Sequence, residues 1–166
     1  MRTELIRARI IEPYYRKEIK VEDTVLEFGC GSGVFARYLA DKIGFKILFY
    51  DIKQYKTKEK LESSIPKVDI IMLNGVLHHI EDDNEIKELV LKLKPYAKKK
   101  ILICEEKPTL RGYIFDHLMN LKYSGLKIPL NFKNKEDWIK ILGEFEYINV
   151  KTCWWYPFKH FIMIIR

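Results

Sequence analysis

Val25-Leu26-Glu27-Phe28-Gly29-Cys30-Gly31-Ser32-Gly33 decides how the rest of the chain is read. A short apolar run ends in a carboxylate, and three glycines then alternate with small residues before an amphipathic segment begins at Val34. That succession predicts a buried strand, a tight turn and a helix start. Alternate glycines let the backbone bend sharply and let a ligand approach the main chain with no Cβ in the way. The first turn of the helix offers N–H groups that lack intrahelical partners. The turn therefore suits a small ligand with polar atoms, although a bare strand-to-helix connection would read the same way. A dinucleotide fingerprint needs glycine where Val34 stands, and here the third glycine, Gly33, comes one residue early.

Outward from this turn, Val34 to Lys42 carries apolar residues at helical spacing, and Gly44 ends the element. Lys46 to Tyr50 follows as a second short strand with Asp51 at its end. In an open α/β sheet, ligands bind outside the carboxyl ends of the strands, where Glu27 and Asp51 both fall. An acidic residue about 20 positions beyond the glycines can hold the ribose hydroxyls of a nucleoside. Asp51 meets that spacing, and Ile52 beside it can lie against the base; capping a turn is the plainer role for such an aspartate. Val68 to Leu73 is a near-continuous apolar run, the pattern of a central parallel strand. It leads into Asn74-Gly75-Val76-Leu77-His78-His79-Ile80-Glu81-Asp82.

The motif Val25–Gly33 and the strand end at Asn74–Asp82 resemble those of the class I S-adenosylmethionine-dependent methyltransferases. The resemblance implies a doubly wound, mostly parallel α/β sheet of Rossmann-like type, closed by a C-terminal antiparallel hairpin. It implies S-adenosyl-L-methionine as cofactor, held by Glu27, Phe28, Gly29, Gly31, Gly33, Asp51, Ile52, Asn74 and Gly75, with Asn74 meeting the methionine part. In small-molecule O-methyltransferases a histidine before an acidic stretch supplies the base, which places His78 in that role with His79 beside it. Histidine suits proton transfer near neutral pH, and a surface histidine with a structural role in a strand-end loop is the competing reading. The chain departs from the family after Asp51. Only Lys53 to Lys67 precedes the next strand, too short for a helix and a further strand, so the usual third strand is expected to be missing or vestigial. Thr57 is expected to cap one short helix there.

The flanks fill in the rest. Arg2 to Lys20 reads as helical but interrupted near Pro13, with a second short helix expected from that proline. Asp83 to Lys94 carries Ile86, Leu89, Val90 and Leu93 as one apolar stripe. Lys100 to Cys104 is the next strand. Residues 107–132, with Leu110, Ile114, Leu118 and Leu121 at helical spacing, are expected to form an insert that acts as a substrate lid. Asn134 caps a helix through Leu142, and Phe145–Trp155 and Phe158–Ile165 are expected as paired strands.

The whole chain of 166 residues is expected to be one domain, 1–166, burying roughly 70% of its unfolded surface. At 48% hydrophobic and 32% charged it is globular in composition. No apolar run reaches the ~20 residues of a membrane span, and the start does not read as a signal peptide, so the expected location is cytoplasmic. Cys30, Cys104 and Cys153 are expected as reduced, mostly buried thiols. No metal site is expected, because His78-His79, His117 and His160 lack partners at ligand spacing. The net charge of +7 admits a nucleic-acid partner but does not favour one. Abundant Ile, Lys and Glu with Gln54 as sole glutamine is a thermophile-like bias that accounts for part of that charge. The leading expectation is a methyltransferase acting on O or N of a small-molecule acceptor. An RNA or protein methyltransferase comes second, and a non-catalytic cofactor-binding partner subunit third. The oligomeric state is left open.

Overall fold

Alternation along the strands explains the layering. The computed structural model describes residues 3–51, 60, 62–123 and 131–166. Its elements are α1 (Thr3–Glu18), β1 (Thr24–Phe28), α2 (Val34–Ile43), β2 (Lys46–Tyr50), β3 (Val68–Asn74), α3 (Asp83–Leu93), β4 (Ala97–Glu106), α4 (Leu110–Tyr123), α5 (Lys135–Leu142), β5 (Glu146–Asn149) and β6 (His160–Ile165). Val25, Ile70, Leu102 and Ile162 point to one face and pack on Ala8, Ile11, Tyr15, Phe35 and Leu39 of α1 and α2. Their neighbours Leu26, Ile71, Ile103 and Met163 point to the other face and pack on Ile86, Val90, Trp138 and Ile141 of α3 and α5. Both faces of the sheet are therefore covered, which is why these strands read as continuous apolar runs.

The sheet order is β2-β1-β3-β4-β6-β5. β2, β1, β3 and β4 are parallel, while β6 runs antiparallel to both β4 and β5. The chain moves outward from β1 to β2 and then returns to β3 on the other side of β1. The strand order thus reverses between β1 and β3, and a crevice opens at their carboxyl ends. This is the doubly wound sheet with a terminal hairpin that the sequence predicts. Among the described residues no strand lies between β2 and β3 in the chain, and β2 forms the sheet edge. The short helix expected at Thr57 lies outside the described residues.

Four local expectations need correction. α1 runs unbroken through Pro13. The missing N–H leaves the Arg9 carbonyl without its helical donor, but Arg9 and Pro13 face solvent and the helix is held by buried Ala8, Ile11 and Tyr15. β4 extends through Glu106, beyond the expected end at Cys104, because β6 pairs with it as far as His160. β5 stops at Asn149, so 150–155 is loop: Val150 N–H still reaches the His160 carbonyl at 3.1 Å, but Lys151 N–H donates to the Tyr14 hydroxyl at 2.8 Å. Cys153 is exposed, unlike Cys30 and Cys104.

Asn134 caps α5 as expected, its side chain accepting from Asp137 N–H at 2.9 Å, and the structure adds a second cap at α3, where Asp82 accepts from Asn84 N–H at 2.7 Å. At the opposite edge of the sheet from the crevice, Lys99 pairs with Asp23 and Asp69, and Lys100 Nζ lies 2.6 Å from Glu18 Oε2. Trp138 is fully buried under the α3–α5 face. Trp138→Ala is expected to lower unfolding stability by about 3–5 kcal/mol, measured as a fall in the urea midpoint with an unchanged slope.

Candidate functional site

Gly29, Gly31 and Gly33 all adopt positive φ, at 72°, 51° and 71°. Two of them show why glycine stands there. A Cβ on Gly29 would lie 2.8 Å from Val76 Cγ2, so a side chain would push the turn off the β3 loop. A Cβ on Gly31 would meet nothing within 4 Å, so there the backbone faces open space. The turn is pinned to β2 by Gly29 N–H donating to the Tyr50 carbonyl at 2.8 Å. Gly31 N–H donates to Asp51 Oδ2 at 2.8 Å, which holds the Asp51 carboxylate against the rim of the turn. Gly33 caps α2 without a side-chain hydrogen bond to its first N–H groups. α1 closes over this edge, with Ser32 Oγ donating to Glu4 Oε1 at 2.7 Å.

A buried polar chain runs across the crevice between β1 and β3. The Tyr15 hydroxyl donates to Asn74 Oδ1 at 2.6 Å, and Asn74 Nδ2 donates to Glu27 Oε1 at 3.2 Å. Glu27 Oε2 is buried with no hydrogen-bond partner among the described residues, and so is Arg7 Nε. The Arg7 guanidinium lies over the Phe35 ring at 5.0 Å and reaches the backbone of Gly75, where a Cβ would sit 2.7 Å from Nη1. Burial pushes the Glu27 carboxyl up to about 8, against the opposing pull of Asn74 and Arg7. A carboxyl oxygen and a guanidinium N–H, both buried and without a hydrogen-bond partner among the described residues, thus stand at the same crevice.

Further along β3 the loop turns into a 3₁₀ segment, Leu77–His79. Glu105, wholly buried at the end of β4, accepts from Val76 N–H at 3.1 Å and from Leu77 N–H at 2.8 Å. Its other oxygen lies 2.6 Å from His78 Nδ1. Burial raises the Glu105 carboxyl, but His78 and the Leu77 N–H outweigh it and hold it below its usual range. An ionised acceptor on that side makes Nδ1 the proton-bearing nitrogen and leaves proton exchange to Nε2. The His78 ring packs on Phe132 at 5.0 Å and on exposed His79 at 4.0 Å. Asn131 N–H donates to the His78 carbonyl at 2.8 Å and Asn131 Nδ2 to the Ile80 carbonyl at 3.1 Å, so the stem after α4 is tied to this loop.

A second buried group stands where β6 begins. The Tyr156 hydroxyl is 3.2 Å from His160 Nε2, and burial drives His160 down to about 3. Burial likewise raises the Cys104 thiol, which makes it unreactive. Among the described residues no cluster of three or more His, Cys, Asp or Glu is placed to hold a metal.

The structure therefore brings Glu27, Gly29, Gly31, Gly33, Asp51, Asn74, Gly75 and His78 to one crevice. Phe28 contributes its backbone there, while its side chain stacks on Tyr50 at 5.2 Å in the α3–α5 layer. Ile52 lies outside the described residues. Arg7 and Glu105 escaped sequence reasoning as site residues, while of the pair Tyr14-Tyr15, one of which the family resemblance allows at the site, it is Tyr15 that reaches Asn74. Arg7 and Glu4 stand at helical spacing with buried Ala8, Ile11 and Tyr15. Charge on an otherwise apolar face was the available signal.

A family model described as a methyltransferase domain matches residues 2–151. No curated protein matches the sequence. Among solved structures, the chain is similar to magnesium protoporphyrin IX methyltransferase from Synechocystis PCC 6803 with bound SAH, at TM-score 0.61 and 16% identity over 95% of this chain and 80% of that one. Human N-acetylserotonin methyltransferase in complex with SAM gives a TM-score of 0.67 at 18% identity over 95% of this chain, which spans about half, 51%, of the human one. A SAM-dependent methyltransferase from Archaeoglobus fulgidus gives 0.67 at 14% identity, covering 98% and 93%.

The raised Glu27 carboxyl has a consequence for stability. The folded chain keeps a proton that the unfolded chain releases above the ordinary value of 4.5, so this contribution is lost as pH rises through about 8. His160 acts in the opposite sense, but only below its ordinary value of 6.5. Without ligand, the melting temperature is therefore expected to fall from pH 6.5 to pH 8. Glu27→Gln is expected to flatten most of that fall, as scanning calorimetry across the window would record.

Proposed function

The chain belongs to the methyltransferase-domain family, and we propose that it moves a methyl group from S-adenosyl-L-methionine to an oxygen or nitrogen atom of a small molecule. The observation that carries the donor reading is a pair of buried atoms without partners among the described residues, Glu27 Oε2 at the end of β1 and Nε of Arg7, whose guanidinium lies against Gly75 after β3. An amino acid's ammonium and carboxylate are the complement of that pair. The residues present therefore fit the methionine end of the cofactor, with Asp51 at the turn's rim for ribose hydroxyls. When bound, the cofactor supplies an electrophilic methyl on a sulfonium.

This chain's own residues do the remaining work. The Gly29–Gly33 backbone admits a ligand without steric hindrance at Gly31. Asn74, held from both sides by Tyr15 and Glu27, fixes the crevice wall. Holding two reactants in line is worth roughly 7–11 kcal/mol, so positioning can carry much of the rate. His78, oriented through Nδ1 by Glu105, is the base for an acceptor hydroxyl, with His79 at its outer side. Residues 107–132, of which α4 and the Asn131–Phe132 stem are described, form the lid over that acceptor, and residues 1–166 act as one domain. An RNA or protein acceptor rests on the net charge of +7 alone. In the run Lys98-Lys99-Lys100, both Lys99 and Lys100 already pair with carboxylates.

Calorimetric titration with S-adenosyl-L-methionine tests the donor site apart from the chemistry. Affinity is expected to rise with pH up to about 8, as Glu27 ionises, and Glu27→Gln is expected to remove that rise. Arg7→Leu and Asp51→Ala are each expected to weaken binding about 10–100-fold, the loss of a charged hydrogen bond. Binding unaffected by either substitution would overturn the donor reading. His78→Ala is expected to leave donor affinity intact while lowering turnover on a hydroxyl acceptor by about 10²–10⁴-fold. Undiminished turnover would remove His78 as base.

A further inference from the structure

Large apolar side chains are exposed together at one place on the described surface. On α4, Leu110, Ile114 and Leu118 stand at i, i+4 and i+8 with 78%, 51% and 57% exposure. Across a cleft of about 610 Å³, the loop between β5 and β6 presents Trp154 and Trp155 at 87% and 54% exposure. The two walls are joined at their base, where the Phe115 and Phe158 rings meet at 6.4 Å and Leu110, Arg111 and Trp154 line the cleft. Exposed indoles and an aliphatic stripe on a helix are costly in water unless something covers them.

The charges along this face are mainly positive: over 107–118 and 150–159 four cations stand against Asp116, between Ile114 and Leu118 in the chain, as the one acid. Lys107 Nζ donates to the neutral Asn149 side chain at 2.6 Å, which leaves its charge uncompensated by that contact. The lysines at the other end of the sheet contrast with this, being paired with Asp23, Asp69 and Glu18.

We propose that α4 and the 150–159 loop form a docking face for an anionic lipid surface, inserting Trp154, Trp155 and the Leu110–Ile114–Leu118 stripe while Lys107, Arg111, Lys151 and Lys159 meet the headgroups. Apolar burial and attraction to anionic lipid add together in such a face, and indoles favour the boundary between headgroup and acyl chain. A second copy of the chain fits poorly, because pairing this face with itself would oppose four cations to four cations. Single-stranded nucleic acid would use the indoles as stacking platforms but leaves the aliphatic stripe of α4 uncovered. The face follows the carboxyl end of β4, and Tyr113 of α4 packs on Phe132 at 4.8 Å, which in turn packs on the His78 ring at 5.0 Å. The docking reading stands on exposure and charge, independently of the methyl-transfer reading.

The test is co-sedimentation of the full chain with phosphatidylcholine vesicles, with and without phosphatidylglycerol, at low and raised salt, alongside tryptophan emission. Binding to the anionic vesicles with a blue shift is expected, weakened by salt. Trp154→Ser combined with Trp155→Ser is expected to lower the partition constant at least about tenfold. Lys151→Glu combined with Lys159→Glu is expected to abolish the preference for anionic lipid. All four side chains are exposed, so melting temperatures should stay at the wild-type value. No binding to either vesicle overturns the proposal, and so does equal binding to both. A dimer in sedimentation velocity that the tryptophan substitutions dissociate would reassign the face to self-association. Quenching by single-stranded RNA with no response to vesicles would reassign it to nucleic acid.

Discussion

A carboxyl group buried at the carboxyl end of a central strand is the constraint around which this edge of the molecule is arranged. Glu27 leaves the sheet where the strand order reverses, buried and with one oxygen that has no partner among the described residues. Desolvation keeps it protonated near neutral pH, and the surrounding groups hold it in place without neutralising it. Asn74 donates to it, Tyr15 locks Asn74, and Arg7 lies across the neighbouring Gly75. A carboxyl kept neutral by burial is poised to ionise when a cation arrives, and that couples ligand binding to proton release.

Glu105 shows how the same edge treats a second carboxylate differently. It is as deeply buried as Glu27, yet two backbone N–H groups and the His78 ring surround it. The result is an ionised group that fixes both the loop after β3 and the orientation of an imidazole. Two glutamates on strands of one sheet thus take opposite protonation states because of what each one faces, and such divergence marks functional ground. α1 completes the arrangement as a wall. Its Glu4, Arg7 and Tyr15 all reach the crevice, so the helix that covers one face of the sheet also lines the site.

The positive charge of the chain divides in the same way. At the amino edge of the sheet, Lys99 and Lys100 are consumed by carboxylates and serve the fold. At the carboxyl edge, the four cations of 107–118 and 150–159 accompany exposed aromatic and aliphatic groups, with Asp116 the one acid in those segments. A net charge by itself could not separate these uses, because it carries no position.

The sequence by itself determined the fold class and much of the crevice. Apolar runs bounded by glycines, the one-residue-early Gly33 and the distance to Asp51 are all local, and strand, turn and helix-start preferences act over a few residues. The cap at Asn134, the stripe in α3 and the short span after Asp51 were legible for the same reason. Only the tertiary structure decided that α1 runs through Pro13, since packing of Ala8, Ile11 and Tyr15 outweighs a lost backbone hydrogen bond. It alone ended β5 at Asn149, where the Lys151 N–H finds a hydroxyl from α1 in place of a strand. It alone brought Arg7 and Glu105 to a site whose motifs lie tens of residues away. Spacing in a chain records what neighbours in sequence can do; desolvation and charge compensation depend on what folding places nearby.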